Sequence, residues 1–213
     1  MHLDLVDVLR CQQPHDGGWL VCAAVKVRGR ELLDGWLSCP ICEAQYPIRD
    51  GLVTYGPFDR AAHVAPEPSE ADVLQLAAAL ELTRPGLLVA LAGRWAAFAG
   101  ALQALVPTRF VLVNGPSADG LMEPAVIASL AGARGLPLPT GQLHAIALDE
   151  GHLADAPLAD AMRTLSAGGR LVLPPGGDFP DGVEALAEDA RLRVGVRGAL
   201  SSRPVPLRRG TRQ

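Results

Sequence analysis

Two short clusters of metal-ligating side chains constrain the beginning of this chain more than any other feature. Cys11 and His15 form the first cluster, and Cys39 and Cys42 form the second in a Cys-Pro-Ile-Cys turn. Such a turn points backbone N–H groups at both thiolates and holds them within reach of one tetrahedral ion. A segment this short cannot bury a sufficient core of its own. The sequence therefore predicts a zinc site with these four ligands.

The first half of this site leaves a choice between His15 and Cys22. Zinc ligands usually come as close pairs on turns, which favours His15. Cys22 lies within residues 19–27, a run of strand-forming residues, and is better interpreted as a small buried side chain. Residues 31–37 predict the strand that returns to the second cluster. We expect a small zinc-ribbon β domain, the alternative being buried thiols beside a surface histidine.

The residues around these ligands also carry a family resemblance. The runs Leu37-Ser-Cys-Pro-Ile-Cys42 and Tyr46-Pro-Ile-Arg-Asp-Gly51 occur in order, and the second is the more distinctive. Residues 1–55 thereby resemble the small zinc-ribbon family of activator subunits of tRNA and protein methyltransferases. The chain departs from that family at His15, where the family commonly has cysteine.

Composition narrows the class of protein. Hydrophobic residues make up 49% of the 213 residues, which is enough for a substantial core, and the formal net charge is −4. That charge argues against a dominant nucleic-acid-binding role, and we expect no DNA partner. The chain has no apolar run long enough to span a membrane and no basic secretory start. We therefore expect a cytoplasmic protein whose four cysteines serve metal binding or burial rather than disulfides.

The rest of the chain alternates between two periodicities. Residues 56–70 are rich in Pro and small residues and are expected to form a linker, after which Ser69 and Asp72 mark a helix start. The pattern predicts strands over 86–92, 109–114, 142–148, 169–173 and 192–196, and helices over 95–106, 119–133, 158–165 and 183–190. Repeated β-α units predict a Rossmann-like α/β domain over 71–198 with a mainly parallel sheet and right-handed crossovers.

This second part resembles class I S-adenosylmethionine-dependent methyltransferases. The likeness covers about residues 84–198 and rests on the strand and loop over 136–152 and on Leu165-Ser-Ala-Gly-Gly-Arg-Leu-Val172. It implies a cofactor site formed by four residues, with the last of them near the methyl acceptor: Gly93, Asn114, Leu136 and Asp149. The chain departs from the family pattern in two places. Gly93 alone remains of the glycine-rich loop, and Asn114 stands where an acidic ribose ligand is expected.

These departures leave two functional hypotheses. In the preferred one, the protein binds zinc and its methyltransferase-like domain is a non-catalytic binding or scaffold module for another protein. The alternative is an active S-adenosylmethionine-dependent methyltransferase of unknown acceptor. Residues 199–213 form a basic tail that could contact RNA or an acidic partner.

Overall fold

The computed structural model describes residues 1–15, 18–59, 67–116, 126–176 and 178–198. Three α-helices lie within these ranges: α1 (Glu70–Ala79), α2 (Ala99–Leu105) and α3 (Asp155–Thr164). The strands, in chain order, are β1 (Val21–Arg28), β2 (Glu31–Ser38), β3 (Gln45–Arg49), β4 (Leu52–Thr54), β5 (Leu88–Ala92), β6 (Arg109–Val113), β7 (Val126–Ala131), β8 (Leu143–Ala147), β9 (Leu165–Leu173), β10 (Val183–Glu188) and β11 (Arg193–Arg197). Short 3₁₀ helices cover Leu3–Val8, Gly93–Phe98 and Glu150–His152.

All eleven of these strands belong to one sheet in the order β1-β2-β3-β4-β7-β6-β5-β8-β9-β11-β10. The five central strands, β7, β6, β5, β8 and β9, pair in parallel. Their order is that of a Rossmann-like sheet, and the order reverses between β5 and β8. The hairpin β10–β11 is added antiparallel to β9. The α/β prediction is confirmed, and the reversal defines the switch point at which such sheets bind ligands.

The sheet is covered on both faces. Leu88, Ala90 and Ala92 of β5 pack into one apolar cluster, whereas Val89 and Leu91 pack into the other. A strand buried on both faces reads as an unbroken apolar run, because neither set of alternating side chains meets water. This is the physical reason why the sequence of β5 is so uniformly hydrophobic.

The amino-terminal strands continue the same sheet. Strand β4 pairs in parallel with β7, so that Leu52 lies opposite Ser129 and Thr54 opposite Ala131. The side chain of Val53 belongs to the same apolar cluster as that of Leu130. Residues 1–55 are therefore joined to the rest by backbone hydrogen bonds and by shared core. The division into a ribbon, a linker over 56–70 and a Rossmann-like domain remains a prediction about independent folding, and the tail from residue 199 lies outside the described residues.

Several local predictions are confirmed. The hydroxyl of Ser69 accepts the backbone N–H of Asp72 at 3.2 Å and caps α1, as the sequence indicated. The predicted strands at 86–92, 109–114, 142–148, 169–173 and 192–196 correspond to β5, β6, β8, β9 and β11, and α3 corresponds to the predicted helix over 158–165. The helix predicted from residue 95 begins as a 3₁₀ turn at Gly93 and becomes α-helical only at Ala99.

Two helix predictions are wrong. Residues 183–190 contain good helix formers, but Val183–Glu188 form β10, because pairing with β11 satisfies their backbone groups. For the helix predicted over 119–133, Val126–Ala131 form the central strand β7 instead, and residues 117–125 lie outside the described ranges. An apolar run buried on both faces cannot be told from a buried helix by periodicity alone.

The helices within the described ranges are too short to cross a membrane.

Candidate functional site

The four predicted metal ligands come together in the structure. One donor atom from each of Cys11, His15, Cys39 and Cys42 lies within 4.8 Å of the other three. Cys11 precedes β1, and Cys39 and Cys42 occupy the turn that follows β2. Cys22 is not part of this cluster, because it lies within β1 opposite Leu37. Between the two fourth ligands that the sequence left open, the structure groups His15 with the three cysteines.

The spacing of the donors suits a tetrahedral ion. Two thiolates on one zinc ion with bonds of about 2.3 Å stand about 3.8 Å apart, and a thiolate and an imidazole nitrogen stand about 3.6 Å apart. The sulfurs of Cys11 and Cys42 are 3.6 Å apart, and the Cys39 sulfur lies 3.3 Å from Nε2 of His15. Small adjustments would therefore place all four donors on one metal. The cluster could bind a metal ion.

The turn around Cys39 prepares its sulfur for ligation. Burial raises the pKa of Cys39, but hydrogen bonds from the backbone N–H groups of Cys42 and Ile41, together with those from the thiols of Cys42 and Cys11, bring the pKa to about 7. The turn itself is closed by Glu43, whose N–H donates to the carbonyl of Cys39 at 3.0 Å. Because the thiolate is the metal ligand, a pKa near 7 reduces the cost of deprotonation on binding.

Tyr46 supports the cluster from inside the fold. Its hydroxyl lies 3.0 Å from the Cys11 sulfur and accepts the N–H of Gln12 at 3.1 Å. Burial, with contact to Cys11, raises the pKa of Tyr46 to about 12, so that the hydroxyl stays protonated and can donate to a thiolate. In the sequence, Tyr46 stands out only as part of a family motif. Its position on β3 opposite Leu37 gives it this second role, which the linear spacing did not indicate.

At the switch point, Gly93 and Asp149 are in direct contact. Gly93 follows β5 with a φ of +58°, and a Cβ atom added there would lie 1.7 Å from Oδ2 of Asp149. The same carboxylate oxygen accepts the N–H of Arg94 at 2.9 Å. The carboxylate that follows β8 thus occupies the backbone donor of the loop after β5. In Rossmann-like sheets this loop approaches the bound ligand.

His152 completes this contact. Its Nδ1 lies 2.6 Å from Oδ1 of Asp149, and both side chains are largely buried. Burial raises the pKa of Asp149, but the hydrogen bonds from His152 and from the N–H of Arg94 lower it below its usual value overall. His152 stands three residues after Asp149, and this short spacing after β8 makes the two side chains, with Glu150, a candidate titratable cluster in the sequence as well.

Asn114 has its amide engaged by the neighbouring loop. It follows β6 with a φ of +48°, donates to the carbonyl of Ala133 at 2.7 Å and accepts the N–H of Ala133 at 3.1 Å. Its Nδ2 also lies 3.5 Å from Nε2 of His152. Ribose binding through this amide, as the resemblance implied, would have to replace the two hydrogen bonds to Ala133.

Leu136, the fourth predicted cofactor residue, lies elsewhere. Its side chain is buried, its N–H donates to Asp160 at 3.2 Å, and its carbonyl accepts from Arg163 at 3.0 Å. Leu136 lines a cleft that it shares with Cys11 and His15. Gly93 therefore contacts Asp149 directly, and His152 links Asp149 to Asn114. Leu136 lies apart from these residues, beside the cysteine cluster.

A cleft of about 480 Å³ opens beside the switch point. Trp95 and Phe98 line one side, with ring centroids 5.4 Å apart, and Leu192 lines another. The indole N–H of Trp95 donates to the carbonyl of Leu148 at 3.0 Å, which fixes the ring. Arg94 and Glu150 form an ion pair of 3.4 Å at the rim. The volume of this cleft is within the range of small-molecule sites.

Comparison with known proteins adds loosely similar structures only. No protein-family model and no curated protein matches the chain. A geranyl diphosphate methyltransferase with geranyl diphosphate and sinefungin matches at 20% identity and a TM-score of 0.40, over 48% of this chain and 44% of that one. Phosphoethanolamine N-methyltransferase 2 of Haemonchus contortus, with S-adenosyl-L-methionine, matches at 10% identity and a TM-score of 0.40. That match covers 53% of this chain and 30% of the methyltransferase.

A third similar structure is the geranyl diphosphate C-methyltransferase of Streptomyces coelicolor, at 22% identity and a TM-score of 0.35, over 55% of each chain. This chain thus spans between about a third and about half of the length of these methyltransferases. Similarity at this level fixes neither a function nor a cofactor for the chain.

Proposed function

We propose that this protein is a zinc-binding, non-catalytic binding module in which a methyltransferase-like sheet serves as a scaffold. The observation that carries the proposal is the contact between Asp149 and the loop at Gly93. A cofactor carboxylate or hydroxyl would need the N–H of Arg94 and the open space over Gly93. In this chain an internal carboxylate takes both.

The energetics favour leaving that contact intact. The Asp149 carboxylate is part-buried and accepts two hydrogen bonds, one from a backbone N–H and one from His152. Hydrogen bonds to charged groups contribute about 1.5–3 kcal/mol each, and an unpaired buried carboxylate is costly. A cofactor at this position would have to displace Asp149 and offset that loss. A cofactor ribose at Asn114 would also have to replace the two hydrogen bonds between Asn114 and Ala133.

For the metal, Cys11, His15, Cys39 and Cys42 would be the ligands, and the ion would be structural. All four coordination positions are then filled by protein, which is typical of structural rather than catalytic zinc. Tyr46 and the N–H groups of the Cys39 turn would orient and stabilise the thiolates. The donor set of three sulfurs and one imidazole nitrogen suits zinc better than calcium or magnesium.

A protein partner is supported by the edge of the sheet at β1. Strand β1 has no strand on its outer side among the described residues, and its side chains Val21, Val25 and Val27 are 59%, 74% and 46% exposed. Exposed apolar residues on an edge strand are typical of surfaces that another chain covers. We expect this partner, rather than a substrate, to be the protein's principal ligand. Contact with RNA through the basic tail from residue 199 is a further expectation.

The test is calorimetric titration of S-adenosylmethionine into zinc-replete protein whose fold is verified by circular dichroism. We expect no saturable heat at ligand concentrations up to about 1 mM, the weak end of specific binding. Asp149→Ala, which clears the space over Gly93, serves as a matched variant. Saturable micromolar binding to the unmodified protein would refute the non-catalytic proposal.

A second candidate function, methyl transfer, is favoured by the cleft beside Trp95 and Phe98. An acceptor held there would lie next to the switch point, and methyl transfer depends mainly on proximity and alignment. If S-adenosylmethionine binds in the titration, this candidate takes precedence. Incubation with labelled cofactor and a cell extract would then identify the methyl acceptor.

A further inference from the structure

A cleft of about 560 Å³ lies between the amino-terminal segment and the loop that follows β7. We call it the arginine cleft, after three of the side chains that line it: Arg10, Arg134 and Arg163. Gln12 and Trp19 come from the amino-terminal wall, and α3 supplies Asp160. The arginine cleft and the cleft beside Trp95 share none of their described lining residues.

The two walls of the arginine cleft are joined by hydrogen bonds. The N–H of Arg10 donates to the carbonyl of Pro137 at 2.8 Å, and the side chain of Gln12 bonds the backbone of Arg134 and Gly135 at 3.4 and 3.5 Å. These bonds hold the two walls together, so binding a ligand would not have to order them. Such preorganisation lowers the entropic cost of association.

The charges in the cleft are not balanced. Asp160 is the one carboxylate among the described residues that line the cleft, and it pairs with Arg163 at 3.0 Å. Two further nitrogens of Arg163 donate to the carbonyls of Leu136 and Leu138. Arg10 and Arg134 have no carboxylate partner among the described lining residues, although Asp7, which does not line the cleft, attracts Arg10 electrostatically. A zinc ion held by three thiolates and a neutral imidazole would carry a formal charge of −1, which leaves the cleft positive by one.

Arg134 is available to a ligand. Its side chain is exposed, and within the described residues its guanidinium makes no hydrogen bond or ion pair. Guanidinium groups bind phosphate through two parallel hydrogen bonds, with a geometry that ammonium groups lack. The whole chain carries a net charge of −4, so this positive cleft runs against the average charge of the protein.

Trp19 provides a flat surface next to these charges. It is 58% exposed, although the guanidinium carbon of Arg10 lies 3.2 Å from its ring centroid. An exposed large aromatic ring that is held in place by a stacked arginine is a suitable platform for a planar heterocycle. Nη1 of Arg10 donates to the carbonyls of Asp7 and Leu9, so its other guanidinium nitrogens are the ones that a phosphate beside the ring would meet.

We propose that the arginine cleft binds a nucleoside phosphate. The base would stack at Trp19, and the phosphate would lie against Arg134 and Arg10. The volume is within the 300–1,000 Å³ typical of sites for molecules of about this size. The proposal goes beyond the scaffold function and needs no S-adenosylmethionine, because that cofactor carries a sulfonium cation and no phosphate.

The experiment is calorimetric titration of adenosine monophosphate into the zinc-replete, full-length protein, with adenosine and inorganic phosphate as separate arms. We expect the monophosphate to bind at least about 10-fold more tightly than either arm, since one charged hydrogen bond or one stacked base is worth about that factor. Affinity should fall as salt rises from 50 to 500 mM, roughly as Debye screening requires. S-adenosylmethionine should not displace the monophosphate.

Two variants locate the site. Arg134→Glu should weaken binding by about 10-fold or more, and Trp19→Leu by about 5-fold or more. Arg84→Glu is the matched control, because Arg84 is equally exposed but precedes β5, at the opposite edge of the parallel sheet. Should Arg134→Glu not fold, Arg134→Gln takes its place.

The proposal is overturned if the monophosphate gives no saturable heat in folded protein at millimolar concentration. It is also overturned if Arg134→Glu and Arg84→Glu weaken binding equally, or if adenosine or inorganic phosphate alone binds as tightly as the monophosphate. None of these outcomes depends on whether S-adenosylmethionine binds. If the monophosphate does not bind, the scaffold proposal is unaffected, because it is tested separately by the S-adenosylmethionine titration.

Discussion

Replacing Cys42 by serine separates metal ligation from packing better than any other change at the cysteine cluster. Cys42 is exposed, so the substitution removes a thiolate ligand without disturbing the core, whereas at the buried Cys39 it would also bury a hydroxyl group. The Cys42 sulfur lies 3.6 Å from that of Cys11, at the outer side of the site. Any change in stability should therefore come from the lost metal bond.

The expected magnitude follows from the number of ligands. Structural zinc sites contribute about 10–16 kcal/mol of apparent binding free energy at pH 7, which is about 2.5–4 kcal/mol for each of four ligands. That loss corresponds to roughly 10²- to 10³-fold weaker zinc binding. Because residues 1–55 share a sheet and a core cluster with β7, destabilisation should reach the whole chain. We expect the Tm of the purified protein to fall by about 5–15 °C.

The assay is competition for zinc with a chelating dye of known affinity, combined with metal analysis and a thermal melt. Cys22→Ser is the matched control, since Cys22 is half-buried in β1 and outside the cluster. Retention of one zinc per chain by Cys42→Ser, with unchanged competition, would refute the assigned ligand set. Equal zinc loss from Cys22→Ser would instead show that Cys22, and not His15, is the fourth ligand.

Three further predictions concern the switch point and α1. Gly93→Ala should destabilise by about 2 kcal/mol or more in urea unfolding, because a Cβ there meets Asp149, whereas Gly29→Ala, at the same φ of +58° with nothing within 4 Å, should show the backbone cost alone. If the two variants are equally stable, the Asp149 contact is not tight. The lowered pKa of Asp149 means that its contribution is complete above about pH 4, the unfolded value, and is lost as pH falls through the folded value, so Asp149→Asn should flatten stability against pH in that window. An unchanged acid limb in that variant would contradict the assignment. Ser69→Ala should cost about 1 kcal/mol through loss of the α1 cap, and an unchanged urea midpoint would exclude the cap.

The local features of this protein were predictable because the residues that make them are close in sequence. Cys39 and Cys42 belong to one turn, and Ser69 caps a helix through Asp72 three residues away. The buried parallel strands were visible as apolar runs, with the exception of β7. Each of these predictions needs only the geometry of a few neighbouring residues.

The contacts that define the candidate sites depend on longer separations. Asp149 meets Gly93 and Arg94 only because β5 and β8 are neighbours at the switch point. The sequence predicted that Asn114 could bind a ribose, whereas in the structure its amide is hydrogen-bonded to the backbone of Ala133. A helix-forming sequence at 183–188 became a strand because β11 was available to pair with it.

The sequence by itself determined a soft-ligand cluster, most of the parallel strands of what is a mixed α/β sheet, and the cap of α1. Tertiary structure decided that residues 1–55 extend the same sheet through β4 and β7, and that the loop at Gly93 faces an internal carboxylate. Local hydrogen-bonding and burial preferences are determined by short stretches of residues. Strand neighbours, and the side chains they bring to one edge, are set by which hydrophobic faces can be covered at the same time, and that is a property of the whole chain.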